Sequence, residues 1–436
     1  MSAEEHDPKD AEEGTVEENY DPHEHREVGR GISNVAAFVH ILKGTIGTGI
    51  LAMPNAIKNS GYIMGPIVII PISVLVVACV HMIMDARYNI CKKHRTPNMT
   101  YSESIRNCLK EGPPFAKSVS GASGHVANVI FFFAQMGTCV AYVAFIAESL
   151  KKILDHEEIY IDVRIYMFII GFPLTLINLI RDLKRLAPFS MIANAFIIAG
   201  IAFILFYVFR DGLSGEDREM VSKPAGWPLY LGTVFFAFQS LGVVIPVEYK
   251  MKEPKKFSGL CGIMNTAFIL IASLYTFFGI CGYIKYGSAS KGSITLNLPQ
   301  DEMFATVISV LYVLSIFLSH PLQANFPLEI AINYAKDHIS EESPKFRTVE
   351  CIIRIAFVWL SVVFAIAIPN LGLIISISGA FSTSLTAFII PAIMEMCLKY
   401  GEYGFKCNYY LFRDIFVIII GFIALALGLY VAIRDI

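Results

Sequence analysis

The 436-residue chain is 55% hydrophobic and only 17% charged, with a mean hydropathy of +0.57 and a formal net charge of −2. A water-soluble chain of this size carries about 25% charged residues, so the composition excludes a soluble globular protein. The apolar residues gather in blocks of roughly 20, the length that crosses hydrocarbon as a helix, whereas a membrane barrel needs alternating segments of about 10.

The chain starts with an acidic stretch, residues 1–30. It holds eleven carboxylates (Glu4, Glu5, Asp7, Asp10, Glu12, Glu13, Glu17, Glu18, Asp21, Glu24 and Glu27) against Lys9, Arg26 and Arg30, a net charge of −8. With almost no large apolar side chains it reads as a disordered tail. It lacks the basic start and apolar core of a cleavable signal peptide, so the first span is expected to direct insertion.

Residues 31–436 read as one transmembrane domain of eleven helical spans. These lie near 32–58, 62–87, 126–150, 163–180, 187–209, 229–249, 258–284, 303–335, 348–368, 371–398 and 412–433. Span 1 contains FVHILKGTIGTGILAMP (38–54), which puts a lysine, three glycines and two threonines where lipid demands an unbroken helix. Irregular backbone is tolerated at that depth only when it is buried in protein or lines a cavity. Gly44, Gly47 and Gly49 each weaken a helix by roughly 1 kcal/mol relative to alanine, so unwinding is expected near Gly44–Thr48. The N–H groups starting the outer half-helix suit a carboxylate, and the carbonyls ending the inner half suit an ammonium or another cation. Glycines in spans also serve close helix packing. Lys43, the two threonines and a second interruption further on favour binding. Gly44-Thr45-Ile46-Gly47-Thr48-Gly49 matches neither nucleotide-loop pattern and has no βαβ context.

Between spans 2 and 3, residues 88–124 form the longest tail-side connection. Thr100-Tyr101-Ser102-Glu103 has capping-box spacing, Ile105, Cys108 and Leu109 share a face, and Gly112-Pro113 ends the run. This predicts a short helix lying on the membrane surface. The loops 211–228 and 286–301, rich in Gly, Ser, Lys and Pro, read as gates or covers on the other side. Span 6 repeats the pattern of span 1, with Phe238-Gln239-Ser240-Leu241-Gly242 followed by an aliphatic stretch and Pro246. Five spans apart, the two run in opposite directions, as an inverted repeat requires.

Placing the tail in the cytosol puts 23 of the 35 basic residues on that side and ten on the other, which fits the positive-inside bias. Arg434–Ile436 then emerges on the outer or lumenal face. None of the nine cysteines forms a CxxC, and only Cys281 lies near the oxidising side. The sequon Asn98-Met99-Thr100 falls in a cytosolic loop and is expected to stay unmodified.

The stretches HILKGTIGTGILAMPNAIKNSGY (40–62), GVVIPVEYKMKEP (242–254), GSITLNLP (292–299) and IPNLGLIISISGAFSTS (368–384) resemble the proton-coupled amino acid transporters of the amino acid/auxin permease group. The resemblance runs from about residue 30 to the C-terminus, with the motifs in order. It implies an all-α membrane protein of the leucine-transporter fold, a 5+5 inverted repeat with spans 1 and 6 broken plus one extra helix. It also implies transport of small neutral amino acids by alternating access, frequently with a proton, in plasma or lysosomal membranes. The substrate-binding candidates are Gly44, Thr45, Gly47, Thr48 and Gly49 in span 1 and Phe238, Gln239, Ser240 and Gly242 in span 6, with Phe238 expected to limit side-chain size. His40 stands where the family has a first-span histidine tied to proton coupling. Two departures stand out: the family usually has an acidic residue where this chain has Gln239, and a pair of outer cysteines that this chain lacks.

Other polar residues in spans are weaker candidates. Lys43 either stabilises the inner half-helix or reaches toward the cytosol, and Glu248 suits a salt bridge at the end of span 6. His81 and Asp85 are spaced as a pair, and His320 precedes a kinking Pro321. Arg354, Glu395 and Gln135 complete the set. No paired Asp, HExxH or Ser-His set appears in facing spans, so neither an enzyme, a metal site nor an organic cofactor is expected, only a coupling proton. The expected partners are amino acids and lipids, not nucleic acid. A non-transporting amino-acid sensor using the same pocket is the competing reading.

Overall fold

The computed structural model describes residues 20–26, 29, 31–181, 183–210, 212–213, 218–299, 301–402 and 409–435, with backbone only over 183–190 and at 402. Its described residues are helical apart from turns, loops and one isolated parallel bridge between Ile32 and Met251. In chain order the helices are α1 (Asn34–Ile46), α2 (Gly49–Ser60), α3 (Met64–Lys93), α4 (Tyr101–Glu111), α5 (Pro114–His156), α6 (Val163–Asn178), α7 (Leu183–Arg210) and α8 (Trp227–Ala237). There follow α9 (Leu241–Tyr249), α10 (Ile263–Tyr286), α11 (Met303–Lys336), α12 (Pro344–Ala367), α13 (Leu371–Ser382), α14 (Ile390–Leu398) and α15 (Tyr409–Asp435).

Among the described residues, nine helical stretches are long and apolar enough to cross a bilayer, or ten when α1 and α2 count as one crossing bent by 53°. α6, at 16 residues, rises only about 24 Å. The face that carries residues 20–26 is called the tail face below.

Local chemistry explains many of the boundaries. Ser33 starts α1 by accepting from the Ala36 amide, and Asn370 starts α13 by accepting from Leu373. The capping box expected at Thr100 and Glu103 is formed, and α4 buries Ile105, Cys108 and Leu109. α1 stops at Gly47, and α2 resumes two residues later. The interruption is therefore shorter than expected: Gly44 and Thr45 remain helical, and only Gly47 and Thr48 leave the helix. Span 6 breaks over residues 238–240, between α8 and α9. A third irregularity has no sequence signal: a π-helical stretch, Thr383–Ile389, lies between α13 and α14.

Lipid tails are as apolar as leucine, so packing between spans depends on close contact and hydrogen bonds. The half of the molecule away from the tail shows both. α8 lies so near α13 that a Cβ on Gly379 would meet Gly232 O at 2.1 Å, and one on Gly232 would meet Ser376 O at 2.3 Å. Thr383 Oγ1 donates to Phe235 O at 2.9 Å across the same seam. α2 packs on α8 and α10 and exposes none of its residues. The tail-facing half is looser: α1 packs on α9 and α10 but exposes Val35, Val39, His40, Lys43 and Gly44.

Residues 20–26 lie against that tail-facing half, unlike the unfolded tail expected from composition; residues 1–19, 27, 28 and 30 lie outside the described residues. Arg26 forms a buried ion pair with Glu248 at 2.9 Å, His23 stacks on Tyr88, and Asp21 pairs with Lys255 at 2.9 Å. Ile32 N donates to Lys250 O and Lys252 N to Ile32 O, tying the approach to α1 to the end of α9.

Candidate functional site

The two interruptions face each other across a cavity of about 60 Å³. Gly44, Thr45, Gly47, Thr48 and Gly49 line one wall, and Gln239, Ser240, Gly242 and Val243 line the facing one. The break glycines have distinct tasks. A Cβ on Gly49 would lie 2.7 Å from Ala237 Cα, so glycine lets the two broken spans touch, whereas a Cβ on Gly47 would meet nothing within 4 Å and would project into open space. Gly44 does not unwind. A side chain there would strike Val243, so it seats α1 against α9.

Freed backbone groups are partly satisfied from behind. Tyr275 of α10, fully buried, places its hydroxyl 2.7 Å from Thr45 O and 2.9 Å from Ala237 O, sharing one proton between the ends of two half-helices. On the cavity side, the buried hydroxyls Thr45 Oγ1 and Ser240 Oγ have no hydrogen-bond partner among the described residues. Buried polar atoms are nearly always paired, so these two mark where a polar ligand belongs.

The cavity also has walls of which the sequence marks only Gln135. α5 contributes Gln135, Thr138 and Tyr142, α8 contributes Phe236, and α11 contributes Gln323 and Phe326. Gln323 Nε2 donates to Gln135 Oε1, joining α11 to α5 behind the substrate space. Only Gln135 had a signal, an amide inside an apolar run. Tyr275, Gln323 and the rings looked like ordinary span residues.

Phe238 does not line the cavity. It is 1% exposed and packs between Phe268 and Tyr275, because the turn after Ala237 directs it into the helix pack and leaves Phe236 facing the cavity. His40 is also outside the lining. It lies on α1 one turn before Gly44, exposed, with no hydrogen bond or ion pair among the described residues. Lys43 is likewise exposed. His81 bonds Asn265 Oδ1 at 2.7 Å in place of the expected Asp85. Glu248 forms the expected salt bridge, and its partner is the tail residue Arg26.

Comparison with known proteins gives the chain its family. The chain is 31% identical over 430 residues to a protein of Drosophila melanogaster, the proton-coupled amino acid transporter-like protein pathetic, covering 98% of this chain and 90% of that protein. It is 25% identical over 374 residues to the vacuolar amino acid transporter 3 of Saccharomyces cerevisiae, covering 83% of this chain and 51% of that one. The inward-facing conformation of Mhp1 superposes with a TM-score of 0.56 at 11% identity, covering 94% of this chain and 92% of that one. That likeness shows the leucine-transporter fold and nothing finer. The relatives are transporters, not enzymes. Residues 30–434 match the family described as transmembrane amino acid transporter protein, and the chain belongs to that family.

Proposed function

We propose that this member of an amino acid transporter family moves small neutral amino acids by alternating access, as a secondary transporter coupled to a proton. The observation that carries the reading is the meeting of two interrupted spans in one cavity with the unpartnered hydroxyls of Thr45 and Ser240. A helix start leaves its first N–H groups without intrahelical acceptors, so the first turn of α2, at Gly49 and Ile50, receives the carboxylate. Ser240 Oγ and the amide oxygen of Gln239 receive the amine. No charged side chain lines the cavity among the described residues, which favours a neutral substrate, and the rings of Phe236, Phe326 and Tyr142 favour a small one.

In this reading His40 exchanges protons from the exposed face of α1 that it shares with Lys43 and Gly44. The tail lies in the cytosol, on the side with most of the basic residues. The membrane is the plasma or lysosomal one, and α6 is an eleventh, short crossing.

Uptake of labelled glycine, L-alanine and L-proline into proteoliposomes, with and without an inward proton gradient, tests this. Wild type is expected to accumulate at least one of them when the gradient is present. Uptake that ignores the gradient would leave facilitated transport standing and remove symport. No uptake of any of the three would sink the substrate assignment. His40→Ala with full gradient-driven flux would remove that residue's role.

A further inference from the structure

The walls of the cavity are backed by a polar group that the transport reading does not use. His320 of α11 is completely buried. It stands one turn before Gln323, which lines the cavity, and its ring lies 6.5 Å from that of Tyr142, which lines it too. Asn178, at the end of α6, approaches His320 Nδ1 with its amide nitrogen at 3.0 Å while donating to Leu174 O at 2.7 Å. With one amide hydrogen on each partner, Nδ1 is a bare acceptor and the ring hydrogen sits on Nε2. His320 Nε2 and Asn178 Oδ1 are both buried and unpartnered among the described residues.

From Asn178 a chain of contacts leads on. Its carbonyl accepts from Arg354 at 3.2 Å, Arg354 pairs with Glu350 at 2.9 Å, and Glu350 lies 3.4 Å from the half-exposed Arg181. The series links the cavity wall to a solvent-accessible charge through α11, α6 and α12.

We propose that His320 is a proton-binding residue of the transport cycle, loaded from the cavity side and emptied in the conformation seen here. The proposal rests on the proton-coupled reading above. Loading transfers a proton from a hydronium in the cavity to the lone pair of Nδ1, leaving water and an imidazolium with hydrogen on both nitrogens. Asn178 then turns its amide so that Oδ1, which has no donor now, accepts from Nδ1, and its side-chain bond to Leu174 O is given up in the exchange. Emptying reverses both steps.

The surroundings show which form belongs to this conformation. α5 presents the neutral Tyr142, α6 presents Asn178, and α11 itself adds Gln323. α12 presents Arg354, whose charge is shared with Glu350. α7 carries no titratable residue from Leu186 to Phe206. No carboxylate contacts the ring among the described residues, and the nearest cation on this path, Arg354, opposes a second positive charge. A protonated ring is thus at odds with this arrangement and favours another, and a ligand shifts a conformational equilibrium only by such a difference.

The test uses the full-length chain in proteoliposomes and whichever of labelled glycine, L-alanine or L-proline wild type moves fastest. Two readouts are compared, accumulation under an inward proton gradient and counterflow at equal pH. Counterflow reports a folded, rocking protein without net proton movement. The expected result for His320→Gln is an accumulation ratio that falls to about one while counterflow continues. Accumulation as in wild type overturns the proposal and leaves proton coupling intact. If wild type itself counterflows but never accumulates, the coupling reading fails and takes this inference with it. Should His320→Gln lose both activities, Asn178→Asp decides: a carboxylate beside the ring is expected to move the pH profile of uptake upward by about one unit, and an unmoved profile overturns the proposal.

Discussion

Tyr275 places one hydroxyl between two carbonyls, Thr45 O and Ala237 O, at the ends of two half-helices, where intrahelical donors run out. Removing it leaves two buried acceptors without that donor, and a buried group left unsatisfied costs about 1–3 kcal/mol. Tyr275→Phe is therefore expected to lower the melting temperature in detergent and to weaken substrate affinity roughly tenfold, a change of about 1.4 kcal/mol. Equal melting and affinity would mean that the breaks hold their shape without the hydroxyl. Gly47 makes the complementary case, because its missing Cβ points into open space. Gly47→Leu is expected to fill the cavity and abolish binding while the protein still inserts; normal affinity in scintillation-proximity binding would place the substrate elsewhere. At this scale the break at Gly47 was legible, since glycine inside a span announces irregular backbone, whereas Gly44 and Gly49 stay helical and serve close packing. Phe238 was not placed correctly, because the rotation of a three-residue break decides which of two nearby phenylalanines faces inward. Gln323 was missed for a different reason: between His320-Pro321 and Asn325 it sits in a run already polar, so it did not stand out as Gln135 does among its apolar neighbours.

The elements were readable wherever a local rule governs them, as at the Thr100 capping box. They were not readable where a distant partner decides. Composition alone makes residues 20–26 a disordered segment, yet Arg26 finds Glu248, some 220 positions on, with both side chains under a tenth exposed. Breaking such a pair from one side leaves an uncompensated buried charge, at a cost of about 3–5 kcal/mol. Arg26→Ala should free the segment, seen as rapid proteolytic clipping near Pro22, and adding Glu248→Gln should partly restore protection. Acid should loosen the same contact. Burial and the nearby Arg26 charge hold the His23 imidazole below its usual range, against the pull of Glu248. Burial raises the Asp21 carboxyl, but its bonds to Lys255 and His23 outweigh that and hold it low. Both groups bind fewer protons docked than free, so docking is complete above the ordinary histidine value of about 6.5. It weakens as pH falls through the depressed His23 value, and again as Asp21 takes up a proton. A clipping rate that is flat from neutral pH to pH about 5 would contradict this sign.

Across the whole molecule the two halves of the pathway differ in the way an alternating-access device requires. Away from the tail, α8 and α13 approach through Gly232 and Gly379 with no room for a methyl group. Toward the tail, α1 exposes the face that carries His40, Lys43 and Gly44. α8 belongs with the broken spans, α13 with the helices packed around α5, so their seam is where one body must part from the other when access switches. Gly379→Ala puts a methyl 2.1 Å from a carbonyl oxygen and 2.4 Å from a backbone nitrogen, neither of which can step aside. The clash exists only while the seam is closed, so the substitution penalises this conformation and leaves its alternative untouched. A difference of about 1.4 kcal/mol already shifts the populations tenfold, and an overlap of this depth costs at least that. Two cysteine reporters read the outcome with a membrane-impermeant thiol reagent. In the Gly379→Ala background, Ser376→Cys, at a position now fully buried, should react at least about tenfold faster from the face opposite the tail. Lys43→Cys, at a position now exposed, should react more slowly from the tail face. If the first rate rises and the second stays constant, the seam opens without closing the tail side, and the two bodies do not rock as units. If neither moves, α8 and α13 absorb the methyl by local repacking, and the gate lies elsewhere in the bundle.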